Sequence, residues 1–258
     1  MELYYGTAAQ QNQQRKSDRL TSWVFDTPGA CLTGQLMCSD DPDRLGWDVV
    51  ERHLAEDRLY AFRWMDAEGQ KQVEEFAAEQ GGNTFGWAGF YAGDSELRRF
   101  IAPIIGRHLP HGMRMERITP QTVCGMQAML GRQGMVSLSG AVLCGLNCRA
   151  LSLMIRDWAG RPAALGFTGM LQNRFSRLGD CAWIGTIATD PAHRGKGLGK
   201  RITAALIRAA LEEFNARAVM GFAADGNAAS KAMLHSCGLQ PHPNRSLVVS
   251  LSKERYTR

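Results

Sequence analysis

The residues best placed by type and spacing to do chemistry form one run, Thr189-Asp-Pro-Ala-His-Arg-Gly-Lys-Gly-Leu-Gly-Lys-Arg201. Arg194 leads it, and Gly195, Gly197 and Gly199 alternate with Lys196, Leu198 and Lys200. A diphosphate takes hydrogen bonds from several backbone N–H groups converging on it. A side chain at those positions blocks the approach, so glycine is the residue that fits. His193, Arg194, Lys196, Lys200 and Arg201 fall within nine residues. A cation cluster interleaved with glycine suits a phosphate-bearing ligand rather than a long polyanion. Behind the run, Ile202, Ala205, Leu206, Ala209 and Leu211 repeat at helical spacing, which predicts a helix over 198–214. Its free N–H groups and dipole would add to the anion site.

Spacing excludes two other glycine loops. A P-loop needs four residues between its glycines and then Gly-Lys-Ser/Thr. Here three residues separate Gly195 from Gly199, and Arg201 follows Lys200. A dinucleotide turn needs Gly-x-Gly-x-x-Gly, and counted from Gly195 the last position is Lys200.

Arg194-Gly-Lys-Gly-Leu-Gly199, after a strand that ends in Thr189-Asp190-Pro191, resembles the pyrophosphate signature of the GNAT (Gcn5-related) N-acetyltransferase superfamily. Asn227-Ala-Ala-Ser230 followed by Cys237-Gly238-Leu239 resembles a second block of that family, with an aliphatic Leu239 in place of the usual aromatic. The resemblance covers roughly Met113 to the C-terminus. It implies an α/β fold, a mixed sheet flanked by helices, and acetyl-CoA as cosubstrate with no metal. By the same resemblance, the backbone of Ile187, Ala188 and Thr189 would line the pantetheine arm and give an N–H to the thioester carbonyl. Arg194, Gly195, Lys196, Gly197, Leu198, Gly199 and Lys200 would hold the pyrophosphate, and Asn227 would contact pantetheine. Asn227 also reads as a helix N-cap, and one residue can do both.

The implied activity is transfer of an acetyl group to a primary amine, which needs a neutral nucleophile, a stabilised oxyanion and protonation of the departing thiolate. Many family members use a tyrosine acid seven residues after the asparagine; here that residue is Leu234. Many use a glutamate base on the fourth strand, and 182–189 contains no carboxylate. His235 reads as a surface or partly buried histidine, Cys237 as a residue packed beside Gly238, and Asp157 as a turn residue. The catalytic residues therefore stay unassigned, and a non-catalytic acyl-CoA-binding module is the alternative. A thiol with a pKa of about 8.5 is a tolerable leaving group without a dedicated acid.

The chain has 258 residues, 45% of them hydrophobic and 21% charged, which is ordinary globular composition. A net charge of +5 leaves no nucleic-acid footprint beyond the one cluster. The first twenty residues are polar, and no apolar run has membrane-spanning length. A soluble cytoplasmic protein follows as the expectation. Its expected partners are a small-molecule or peptide amine and a second copy in a homodimer, without nucleic acid or membrane. Of seven cysteines, Cys31, Cys124, Cys181 and Cys237 stand far apart, Cys38 follows Cys31 in the same stretch, and Cys144 and Cys148 form the one close pair. No histidine or second pair completes a zinc set, so buried free thiols are expected.

The elements that must position the loop fall in order. Apolar runs 150–158 and 162–171 predict a hairpin turning at Gly160; 182–189 is a third strand, 216–223 a fourth, 227–236 a helix, and 246–251 the last strand. Before them, 113–119 predicts a strand and 120–130 a helix. The stretch Gly106–Gly112 separates a GNAT domain at 113–258 from a smaller α/β domain at 1–110. In the first half, helix 45–54, strand 58–65, helix 66–80 and strand 85–91 echo the later strand–helix order, with Asp66 and Gly82 near where Asn227 and Gly238 stand. A degenerate second GNAT-like unit and a substrate-recognition domain are both open readings of it. The glutamine-rich opening to Arg19 is expected to be poorly ordered at its start. Trp23, Trp47, Trp64 and Trp87 are expected in the core. The first half is expected to help form the acceptor site.

Overall fold

The structure, a computed structural model, describes residues 3–252. Ten strands form one sheet, and their order follows from two similar half-chains that trade their last strand. In the first half β1 (Ala30–Leu32) and β2 (Met37–Ser39) are antiparallel. Helices α3 (Pro42–Leu45) and α4 (Trp47–Asp57) then lead to β3 (Leu59–Met65), parallel to β2, and α5 (Ala67–Glu79) leads to β4 (Asn83–Gly93). The second half repeats the scheme. Strands β7 (Pro162–Gly169) and β8 (Cys181–Thr189) are antiparallel. Helix α9 (Leu198–Glu213) leads to β9 (Ala218–Ala224), parallel to β8, and α10 (Ala228–Ser236) leads to β10 (Gln240–Ser250). The final strands cross over: β4 pairs with β9, and β10 lies between β3 and β4. With β5 (Arg114–Arg117) and β6 (Ala150–Arg156) the order is β1-β2-β3-β10-β4-β9-β8-β7-β6-β5. Gly106–Gly112 lies between α6 (Asp94–Ile105) and β5, and the stretches on either side of it share this sheet.

The helices form where caps and apolar faces agree. Asp66 caps α5 by accepting from Gly69 N, and Val73, Phe76 and Ala77 face the core. Helix α9 buries Leu198, Ile202, Ala205, Leu206 and Ala209, as its spacing predicts. The helix predicted over 45–54 is α4, which starts only at Trp47 because Gly46 at φ 99° separates it from α3.

The glutamine-rich opening is a helix, α1 (Ala8–Arg19). Met1 lies outside the described residues. Thr7 and Gln10 form a capping box. Buried Gln14 donates to Tyr5 O and Ser137 O, and Lys16 reaches Glu56 at 2.7 Å and Asp57 at 2.8 Å. Those tertiary partners hold this polar segment against the rest of the chain.

The seven cysteines are free, and Cys31, Cys38, Cys181 and Cys237 are buried. The close spatial pair is Cys31 and Cys38, cross-strand neighbours with sulfurs 3.0 Å apart.

Candidate active site

Strands β8 and β9 separate midway. They pair from Cys181↔Ala218 to Ile184↔Gly221, and Gly185–Thr189 then has no registered partner on the β9 side. On its other side β8 pairs Leu165↔Ala188 and Phe167↔Gly185, so Thr186 and Ile187 together face Gly166. That bulge holds Thr186 at φ 50°, in the left-handed region, and a Cβ on Gly166 would sit 2.4 Å from Ile187 Cδ1. Gly166 is what lets the bulge fit.

A cleft of about 930 Å³ opens at the separation. Of the residues expected to hold the cosubstrate, Ile187, Ala188, Thr189, Arg194, Gly195, Gly197, Leu198, Gly199, Lys200 and Asn227 line it. Lys196 does not: its Nζ turns back to Ala192 O and His193 Nδ1, each at 3.3 Å. Gly195 at φ 75° and Gly197 at φ 74° have open space where a Cβ would stand, so backbone conformation rather than crowding requires glycine there. Gly197 is the N-cap of α9 and no side chain caps that helix, whose first N–H groups are left for an anion. Asn227 caps α10, its Oδ1 accepting from Ser230 N at 3.0 Å, while also lining the cleft.

Leu234 is buried against Gly221 and lines the cleft. His235 is exposed and lies off the cleft lining. Cys237 is buried with its thiol toward Lys200 O. Asp157 is a turn residue whose Oδ1 accepts from Ala159 N and Arg161 N. No Asp or Glu lines the cleft. Among the described residues no group of three or more His, Cys, Asp or Glu side chains is placed to hold a metal ion, and no described helix is long and apolar enough to cross a membrane.

The first half supplies much of the wall: Thr33, Gln35, Leu36, Ala61, Arg63 and Trp87. Trp23, Trp47 and Trp64 pack against His53, Phe62 with Phe76, and Tyr91 with Phe222, as core residues do. Trp87 packs against the buried cluster of Cys31, Leu36, Cys38, Ala61 and Val248, and it also lines the cleft. Arg63 is the lining residue that sequence reasoning passed over. A lone cation inside the apolar strand LYAFRWM was the available signal.

At the place in the first half that corresponds to the phosphate loop, Asp41-Pro42 follows β2 as Asp190-Pro191 follows β8, and each aspartate caps its turn. The charge there is reversed. A pocket of about 430 Å³ is lined by Asp40, Asp41, Asp43, Asp66 and Glu68 with only Arg44 and Arg177 as cations. Carboxylates there would repel a diphosphate. Titration with acetyl-CoA is therefore expected to saturate at one molecule per chain, and a second site of comparable affinity would contradict the assignment.

Burial pushes the Asp40 carboxyl up to about 6, against the Ser176 hydroxyl that donates to its Oδ2. Its Oδ1 is buried without a partner. Because the folded value lies above the unfolded one of about 3.9, the native state holds the extra proton between those limits. Stability then falls as pH rises from about 4 to about 6, and the loss is complete above that window. Asp40→Asn is expected to raise stability at neutral pH by on the order of 2 kcal/mol and to flatten that fall. Denaturant melts at three pH values check both.

The model of the Acetyltransferase (GNAT) family matches residues 148–239. No curated protein matches the sequence. A Drosophila protein of known structure aligns over 98% of this chain and 92% of its own at 17% identity, with a TM-score of 0.61. A GCN5-related N-acetyltransferase from Kribbella flavida aligns over 92% and 95% at 14% identity, with a TM-score of 0.57. A tandem GNAT protein from the clavulanic acid biosynthesis pathway aligns over 93% and 89% at 15% identity, with a TM-score of 0.55. At these identities the likeness is one of fold, and it extends over both halves.

Proposed function

We propose that this chain, whose C-terminal half carries a GNAT domain, is an N-acetyltransferase that moves the acetyl group of acetyl-CoA to a primary amine. The observation that carries the reading is the uncapped, glycine-led start of α9 beside the separated β8 and β9. The N–H groups of that helix start, with Arg194 and Lys200, fit a pyrophosphate. The unpaired edge of Gly185–Thr189 offers backbone groups to an extended pantetheine arm, and one such N–H facing the thioester carbonyl would stabilise the developing oxyanion.

In the reaction an N–C bond forms and the C–S bond breaks; the amine gives up a proton and the thiolate takes one. The cleft lining contains no Asp or Glu to take the proton from the amine, and bound water can relay it. Arg63 faces the cleft, and a cation near an ammonium lowers its pKa and favours the neutral nucleophile. Positioning and the backbone N–H would supply most of the rate. Leu234 and the absent base keep a binding module without turnover as the competing reading. A steady-state assay of free CoA release over an amine panel separates them: amine-dependent release supports the enzyme, and binding without release supports the module.

Leu234 stands where a proton donor to sulfur would be, so Leu234→Tyr is expected to keep the fold and raise kcat by a few-fold. His235 is exposed off the cleft, and His235→Ala is expected to leave turnover within about twofold of wild type, well under the 10²-fold or more that a general acid supplies. A hundredfold loss in His235→Ala would contradict this placement.

A further inference from the structure

We propose that Arg63 is the carboxylate-binding residue of the acceptor site, and that the acceptor is a small amino acid rather than a simple amine. The inference rests on the acetyltransfer reading above and names its second substrate.

Arg63 lies in β3, in the first half of the chain, and reaches the cleft of the second half. Its guanidinium is held between two aromatic faces, 5.0 Å from the Trp183 ring and 5.1 Å from the Phe222 ring. Trp183 belongs to β8 and Phe222 to β9, each next to the last registered pair, Ile184↔Gly221, so the clamp sits where the two strands part. Stacking fixes the plane of the guanidinium and leaves its N–H edge for a ligand. Among the described residues that edge makes no hydrogen bond and no ion pair, although the side chain is partly buried. An unpaired guanidinium lining the cleft can offer two N–H groups at once to a carboxylate.

Two further observations point to the same ligand. The buried indole Nε1 of Trp183 and the buried hydroxyl of Thr186 also lack partners, and both residues line the cleft. Both groups can donate, and a carboxylate has lone pairs for more than one donor. The lining offers no Asp or Glu to attract the ammonium end of an acceptor. Recognition through the acceptor's own anion is the arrangement that this charge distribution favours, and the same cation lowers the pKa of the attached amine.

The backbone pays a strain cost to put Arg63 there. Strand β10 registers Leu247↔Phe62 and Arg245↔Met65, so Arg63 and Trp64 together oppose Ser246 in a bulge, with Trp64 at φ 62°. Of the four non-glycine residues at positive φ among the described residues, Arg58 caps α4 and Asn215 follows α9. The two inside strands, Trp64 and Thr186, sit at the bulges on either side of this cleft. Strained strand residues gathered at one cleft mark a positioned site rather than a packing accident.

The test compares α-, β- and γ-amino acids with their decarboxylated amines as acceptors, in wild type and in Arg63→Met and Arg63→Lys. Acetyl-CoA affinity and amino-acid binding are measured alongside by calorimetry. Wild type is expected to favour at least one amino acid over its decarboxylated amine by about a hundredfold or more in kcat/KM, as a site built for a polar group rejects the analogue without it. Arg63→Met should close that gap, mainly through KM, with acetyl-CoA affinity unchanged. Arg63→Lys should restore only part of it, because lysine neither stacks nor forks. Equal turnover of amino acids and decarboxylated amines by wild type would overturn the inference while leaving acetyltransfer intact. So would amino-acid binding that Arg63→Met does not alter. Failure to bind acetyl-CoA would instead overturn the reading on which it rests.

Discussion

A chain begun at Gly112 is expected to fail to fold and to show no acetyl-CoA binding in calorimetry, although it retains every residue of the phosphate loop. Strand β10 has no neighbour from its own half. It pairs with β3 on one side and with β4 on the other, from Gln240↔Tyr91 to Ser250↔Asn83, and β4 alone connects it to β9. Removing residues 1–111 leaves β9 with an open edge beside the cleft and β10 with two. Exposed apolar strand edges such as that of Leu247, Val248 and Val249 template aggregation. A truncation that keeps acetyl-CoA binding would show that the second half can satisfy these strands itself. Co-expression of residues 1–111 with 112–258 is expected to restore binding, because the exchanged strands can then pair between fragments.

Gly197→Asp is expected to weaken acetyl-CoA binding at least tenfold, which is about 1.4 kcal/mol, without unfolding the chain. Two effects add. Gly197 sits at φ 74°, where an L side chain is strained, and a carboxylate there would face the bound diphosphate at an uncapped helix start. Space does not limit the substitution, since nothing lies within 4 Å of the Cβ position, so the fold should survive. Gly195→Asp is the control at the neighbouring site, with φ 75° and the same open space. Unchanged affinity in both variants, with an unaltered melting curve, would remove the phosphate site from this loop.

What could be read in the sequence was local. The helix start at Gly197–Leu198 follows from glycine spacing and an apolar face, and both survive in any packing. Strand β10 was legible only from Ser246, because Pro241 and Pro243 have no backbone N–H to give a ladder. The strand accommodates them through an irregularity between His242 and Arg245 that takes Pro243 and Asn244 out of register. Strands β1 and β2 escaped because all of their residues are buried, leaving no alternation to detect. The repeat within the chain was visible as element order, but the exchange of β4 and β10 was not, since partners as distant as Ser250 and Asn83 leave no local trace. The wall formed by Arg63 and Trp87 is a product of that exchange. For the same reason the loop side of the cleft could be read from one segment and the wall from the first half could not.

The two halves thus divide the labour by charge. The second keeps glycine and cations after its Asp-Pro turn, and the first carries aspartates there and contributes side chains to the other's cleft instead. The most direct measurement is the fate of the acetyl group itself. The full chain is incubated with acetyl-CoA labelled with carbon-13 in the acetyl group and with a panel of amines and amino acids, and the products are read by mass spectrometry. Transfer predicts a labelled amide on at least one acceptor, formed in step with free CoA. Labelled acetyl-CoA that binds but is returned unchanged, or is only hydrolysed with every acceptor unmodified, would contradict the account.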